Sequence, residues 1–281
     1  MLIANSLAIA GRHQPLLEPT SLTVSRGQLL LVQAQPQTTR TALSLGLSAR
    51  MRPSTGTVSW SGNTSLRAVR RISALVDSPE INEPEAHLKV RDLVAEDLAL
   101  QPVPLWRRSS INAWLERHHL EHLADSWLDA IDPLDRLTLI TRLSLEDHHI
   151  ELAIFDSPDR HGIPEDDWLN HLQTLVGGRR APAVIAVVNR IPEGFDGAVA
   201  YAGAQQDHPI FAPVAQKLLE EPARIDEPAI SIDEPATQET LKPVPEPEQE
   251  SAMDPEPATV QEPAMDPEPA PELSPALEET R

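Results

Sequence analysis

The 281-residue chain has no cysteine, which excludes disulfides, thiolate metal centres and cysteine nucleophiles. Aromatic residues make up only 3% of it against 40% hydrophobic residues overall, so its core must be built mainly from Leu, Ile, Val and Ala. No apolar run approaches the ~20 residues that a bilayer-spanning helix needs. The opening stretch MLIANSLAIAGRHQ has no basic segment ahead of its apolar residues, so it reads as a strand rather than a secretory signal. The expectation is a cytoplasmic protein, peripheral at the inner face of a membrane. Glycine is missing where it would matter most. In LVQAQPQTTRTALSL (31–45) a strand-like run passes through a polar loop into a helix-like pattern without one.

Charge is distributed unevenly. The formal net charge is −20, but from Glu220 onward 18 acidic residues face only three basic ones (Arg224, Lys242, Arg281), a balance of −15. That stretch also holds thirteen of the 28 prolines and short echoes, IDEPA at 225–229 and 232–236 and MDPEPA at 253–258 and 265–270. Proline removes backbone donors and like charges repel, so 221–281 is expected to be a disordered acidic tail. It is either a solubilising tail or a docking arm for a basic partner. The small basic pairs Arg107-Arg108 and Arg179-Arg180 do not suggest nucleic acid, and the acidic tail argues against it.

The body, 1–220, alternates strand and helix patterns. Leu2–Ala10 and Thr20–Val24 read as strands. Gly27–Ala34 is a continuous apolar run typical of a strand buried on both faces, His149–Asp159 reads as a buried strand ending in acids, and Ala181–Arg190 as another buried strand. Gly56–Gly62 alternates like an exposed strand, and Asp196–Gly203 reads as a last short one. Helices are predicted over Thr41–Met51, Val90–Leu100 (apolar at Val90, Leu93, Val94 and Leu98) and Asp166–Val176. Another begins at Asp132, an N-cap, with Pro133 as its first residue. Trp106, Ile111, Trp114, Leu115, Leu123, Trp127 and Leu128 make an apolar stripe over two further helices. Buried strands separated by helices imply an α/β fold with a mixed, largely parallel sheet.

This order resembles the ATP-binding subunit of ABC transporters over roughly residues 1–205. SLTVSRGQLLLV looks like the strand, turn and second strand that lead into that family's phosphate loop. RMRPSTGTVSWSG is similar to the stretch after the phosphate-loop helix, KVRDLVAEDLAL to the helix that opens the helical subdomain, LAIFDSPD to the Walker B strand, and VIAVVN to the strand ending in the switch histidine. The chain is similar to divergent ATP-binding subunits of the actinobacterial type, P-loop proteins in which Arg-Thr can replace Lys-Ser. The resemblance implies N-terminal antiparallel strands, a helical subdomain at about 85–145, ATP and Mg²⁺ as ligands, an integral-membrane transporter subunit as partner, and pairing with a second ATP-binding subunit as a homo- or heterodimer.

A phosphate loop works because consecutive backbone N–H groups converge on phosphate oxygens, and glycine permits the twist. Here Ala34, Gln37 and Thr39 take the glycine places, Arg40 the lysine place and Thr41 the place of the Mg²⁺-binding hydroxyl. The candidate nucleotide-binding residues are therefore Thr38, Thr39, Arg40, Thr41 and Ala42. The candidate metal ligands are Thr41, the Walker B Asp156, and Asp77, which stands in the Q-loop glutamine place. A Cβ at φ > 0 costs about 1–2 kcal/mol, so if Gln37 and Thr39 had to adopt that conformation the loop would relax to another shape. Ser157 stands where the family's general-base Glu belongs and lacks a base of its own. Asn189 replaces the switch histidine and cannot carry positive charge. Ile131–Asp135 takes the signature place, where Asp132 is negative and Pro133 has no N–H. A helix cap explains both. The adenine-stacking aromatic is missing near Gly11, where His13 is the only ring. Three readings stay open: a transporter ATP-binding-type subunit with little or no hydrolysis, a divergent working ATPase, and a scaffold that acts through its acidic tail without nucleotide.

Histidines give weaker signals. His118, His119 and His122 fall on one helical face by i,i+4 and i,i+3 spacing, but a helical histidine pair needs a further placed ligand to hold Zn²⁺, so a solvated face is expected. His148 and His149 are adjacent and should diverge on any helix or strand.

Overall fold

The structure is a computed structural model, and it describes residues 1–101 and 109–206 together with the backbone of 210–211. The predicted tail and Trp106 lie outside the described residues. Two sheets carry the body. β1 (Leu2–Ile9), β2 (Leu17–Val24) and β4 (Thr55–Trp60) form an antiparallel sheet in the order β2-β1-β4. The second sheet runs β5-β6-β7-β3-β8-β9, with β3 (Leu29–Gln33), β5 (Ser73–Val76), β6 (Leu152–Asp156), β7 (Ala183–Val188) and β8 (Ala198–Tyr201) parallel and β9 (Ile210–Phe211) antiparallel at the edge.

The continuous apolar runs have a simple cause. Successive side chains of a strand point to opposite faces, and here both faces are covered. Leu30 and Val32 of β3, Leu152 and Ile154 of β6, and Ile185 and Val187 of β7 join the core shared with the antiparallel sheet and α1 (Gln37–Leu47). Leu31, Phe155, Val184 and Ala186 face the opposite way, onto α5 (Pro133–Ser144) and α6 (Glu165–Gly177). A third core lies among α3 (Val90–Leu100), α4 (Ile111–His118) and α5. It centres on the fully buried Trp114, whose indole N–H donates to Glu146 Oε2 at 3.0 Å. Gly56 is sterically dictated: it has φ +77, and a Cβ there would collide with the Ser6 carbonyl oxygen, where β1 bulges against β4.

Several expectations need correction. α1 begins at Gln37, four residues before Thr41, because the Pro36 carbonyl accepts from the N–H groups of Thr39 (3.0 Å) and Arg40 (3.2 Å) and winds the first turn early. α2 (Leu66–Ile72) and β5 were not anticipated. α2 is Arg-rich and buries only Val69, so it has almost no apolar period. The second helix expected after Trp114 is only a short 3₁₀ turn at Glu121–Leu123, and Trp127 is half-exposed with the Lys89 ammonium 5.4 Å from its ring centre. The three histidines do not share a helical face, since α4 stops at His118 and His119 takes the left-handed conformation at φ +60. Among the described residues no helix is long and apolar enough to cross a membrane.

Candidate functional site

The carboxyl ends of parallel strands are where α/β sheets gather ligand-binding groups, and four of these ends meet here. The turn after β3 brings Ala34 through Thr41, the end of β6 brings Asp156 and Ser157, the turn after β5 brings Asp77 and Ser78, and the end of β7 brings Asn189. Asp156 is 1% exposed. Its Oδ2 accepts from Thr41 Oγ1 at 2.8 Å and Ser78 Oγ at 2.6 Å. Its Oδ1 takes the Gln37 amide at 3.2 Å and lies 3.0 Å from Ser157 Oγ. A buried carboxylate must be matched in this way or lose several kcal/mol, and here three neutral donors match it, with the single Ser157 proton shared between Asp156 Oδ1 and Gln37 Oε1.

Arg40 closes the other half of the site. Its Nη1 donates to the Ala34 carbonyl at 3.1 Å and to Asn189 Oδ1 at 3.3 Å, its Nη2 to Gln37 Oε1 at 2.6 Å, and its Nε to Ser157 Oγ at 2.8 Å. The guanidinium thus bends back across the mouth of the loop that its own backbone forms. Gln37 is the hub, because its amide nitrogen serves Asp156 and Thr41 while its amide oxygen receives Arg40 and Ser157. The structure therefore joins Arg40, Thr41, Asp156, Ser157 and Asn189 in one network.

Neither Gln37 nor Thr39 has a positive φ. Both lie in the first turn of α1, and the expected strain is relieved by winding that turn as ordinary helix. The amides of Thr39 and Arg40 consequently point at Pro36 O rather than at a common centre. The unusual backbone sits elsewhere, with Ser157 at φ +58 and Asp77 at φ +53, both non-glycine residues in the left-handed region.

Asp77 does not turn toward Asp156. Its carboxylate takes a two-pronged grip from Arg136 (2.8 and 3.1 Å), a bond from His161 Nε2 at 2.7 Å and an ion pair with Arg160 at 3.3 Å. Burial pushes this carboxyl up, but the His161 bond and the two guanidiniums outweigh it and hold the group down at about 2. Glu83 completes the cluster, 3.1 Å from Arg160 and 3.5 Å from Arg136. Arg160 also ties it to the first network by donating to the backbone carbonyls of Asp77 and Asp156. Arg136, Arg160, His161 and Glu83 were missed from sequence because 25 to 84 residues separate the partners. No local motif marks them.

Asp132 behaves as a helix cap. Its Oδ1 accepts from Leu134 N at 2.8 Å, with Pro133 at the first position of α5. Beside the β3–α1 loop a cavity of about 500 Å³ is lined by Pro15, Leu16, Glu18, Pro36, Thr39 and Tyr201 among others. No aromatic residue of the β1–β2 turn lines it, and it carries the negative charge of Glu18.

Magnesium takes one or two carboxylates together with phosphate oxygens and waters. Here both oxygens of Asp156 are already paired, the Thr41 hydroxyl donates to one of them, and Asp77 is held by arginines. In this arrangement MgATP would bind only by displacing these partners.

Solved structures sharing this architecture include an ATP-binding subunit of an ABC transporter (TM-score 0.54, 14% identity, covering 78% of this chain and 93% of that one). Another is cbiO1 of Clostridium perfringens, part of the ABC transporter complex cbiONQ (TM-score 0.55, 15% identity, 78% and 92%). A third is an ATP-binding cassette in a dimeric post-hydrolysis state bound to ADP and Pi (TM-score 0.55, 13% identity, 72% and 94%). No family model and no curated protein matches the sequence. The chain has the fold of ABC-transporter ATP-binding subunits. At these identities the likeness defines the fold and leaves the chemistry to the site.

Proposed function

We propose that the chain is an ABC-type ATP-binding subunit whose nucleotide site has closed on itself, so that it binds MgATP weakly or not at all and has little or no hydrolysis of its own. It works with an integral-membrane transporter subunit and pairs with a second ATP-binding subunit that supplies the ATP chemistry. One observation carries the reading. The Arg40 guanidinium is held by Ala34, Gln37, Ser157 and Asn189 while every oxygen of Asp156 is paired. A triphosphate entering the loop would have to break this network and then find amide donors already bonded to Pro36. Ser157 also supplies no carboxylate to orient water. The residues that remain are suited to positioning: Asp156 organises the ends of β3, β5 and β6, and Arg160 links that centre to the Asp77 cluster. Thr38 and Ala42 contribute their places in α1 and no side-chain chemistry of their own.

Calorimetric titration of the full chain with MgATP is the test, paired with phosphate release by the chain alone. The expected result is no micromolar binding and no turnover above background. Micromolar binding with turnover that Asp156→Asn abolishes would replace this reading with that of a divergent working ATPase.

A further inference from the structure

Between α5 and β6 the chain turns sharply, and the turn places three metal-ligating side chains together. Adjacent side chains diverge on a helix or strand, but residues 147–149 are in neither. Asp147 Oδ1 accepts from the His149 backbone N–H at 2.9 Å and lies 2.8 Å from His149 Nδ1. Ile150 N–H donates to the Asp147 carbonyl at 3.2 Å. Arg180 staples the turn from outside, donating to the carbonyls of Leu145 (2.6 Å), Asp147 (2.7 Å) and Ile150 (3.5 Å). The two imidazoles then lie side by side, centroids 3.9 Å apart and tilted by 40°.

We propose that Asp147, His148 and His149 form a surface site for a borderline divalent cation of the Zn²⁺ class. One ligand atom from each residue lies within 4.8 Å of the other two, and Asp147 Oδ1 is 2.8 Å from one imidazole nitrogen and 3.8 Å from the other. A tetrahedral zinc with arms of about 2.1 Å needs ligand separations of about 3.4 Å, a value these two distances bracket. Small side-chain rotations bring the set into register, and water completes the shell. The ligand set of two imidazoles and one carboxylate suits zinc, nickel or copper rather than magnesium or calcium, which prefer oxygen alone. Burial pushes the Asp147 carboxyl up, and the His149 backbone and ring bonds outweigh it and hold it below the usual carboxylate range. Arg180 places one positive charge nearby, so the site is of moderate affinity. A second cluster among the described residues, Asp77, Glu83 and His161, carries no such proposal because Arg136 and Arg160 already occupy it. The site stands apart from the nucleotide network and does not depend on how that network is read.

The test is calorimetric titration of the untagged full-length chain with ZnCl₂, repeated on a His148→Ala/His149→Ala variant, on His149→Gln alone and on His122→Ala. Binding of one equivalent in the micromolar range is expected, weakened at least about tenfold in the first two variants and unchanged in His122→Ala. These positions are exposed, so circular dichroism melting should match the wild type. Should the double variant fail to fold, His149→Gln decides alone. Unchanged affinity in the variants, equal weakening in His122→Ala, or no binding to the wild type below millimolar zinc would each overturn the site.

Discussion

Asp77→Asn probes the buried charge cluster with the least change in shape. The wild-type carboxylate is 3% exposed and faces two guanidiniums and an imidazole. Its pKa falls from 3.8 to about 2 despite the burial. A depression of that size corresponds to about 2 kcal/mol of folding stability at neutral pH. Asparagine removes this contribution and also aims an NH₂ group at guanidinium N–H donors, leaving part of Arg136 unpaired, so the loss at pH 7 is expected at about 3 kcal/mol. The sign of the pH effect follows from the direction of the depression. A carboxylate that is more acidic in the folded state stabilises the fold above its unfolded value and loses that contribution as pH falls through its folded one. The wild type should therefore lose about 2 kcal/mol more than the variant between pH values of about 4 and 2. Urea unfolding at pH 7 and at a series of acidic values measures both quantities. A variant within about 0.5 kcal/mol of the wild type at pH 7, or the same acid slope in both proteins, would refute the reasoning.

Arg40→Ala removes the side chain that closes the loop. Stability should fall by about 1–2 kcal/mol, and the amides of residues 37–41 should exchange faster by hydrogen–deuterium exchange; unchanged protection there would show that Arg40 is not holding the turn. His171 is depressed to about 4 by burial and then by Arg142, so its ring should stay neutral in an NMR titration until close to that value. Because the unfolded chain takes up this proton first, His171 should also lower stability as pH falls from 6.5 toward 4, and a ring titrating near 6.5 would remove the effect. Trp114→Ala leaves a large void in the third core and strips Glu146 of its indole partner, so a loss of about 3–5 kcal/mol is expected on chemical denaturation; a loss below about 1 kcal/mol would place Trp114 outside a packed core.

The legible parts of the sequence are those whose physics is local. β3, β6 and β7 announced themselves because both faces of the sheet are covered, which forces apolar residues at every position. The Asp132–Pro133 helix start was equally plain, since a cap needs only two residues. α2 was illegible because one buried valine among arginines carries no period. The start of α1 was misjudged because a proline carbonyl, which has no side-chain signature, wound the first turn. The side chains of the candidate site could be named from their positions in the strand-to-helix order, but not their partners. Nothing near Gln37 in sequence says that one amide will serve Asp156, Thr41, Ser157 and Arg40 together. The Asp77 cluster is more hidden still, because its arginines and histidine arrive from α5 and from the turn after β6. His148 and His149 were read with the geometry of regular structure, and a turn broke that rule.

The side chains of the candidate site are interdependent. A loop that had merely lost its glycines would leave its remaining charged groups without partners, and buried polar groups without partners are rare. Here each unusual residue answers another. Gln37 reaches Asp156 from a helical position that a glycine could not exploit, and it gives Arg40 an acceptor. Ser157 is short enough to receive Arg40 and to lie against Asp156, where a glutamate would set a second carboxylate beside the first. Asn189 offers an oxygen to the same guanidinium, where a protonated histidine would repel it. Changing one of these residues strands its partners, so on the function proposed above no single substitution should confer micromolar MgATP binding. Gln37, Arg40, Ser157 and Asn189 tie the strand ends together as one hydrogen-bonded unit, and on the function proposed above that unit stands in the place of bound phosphate.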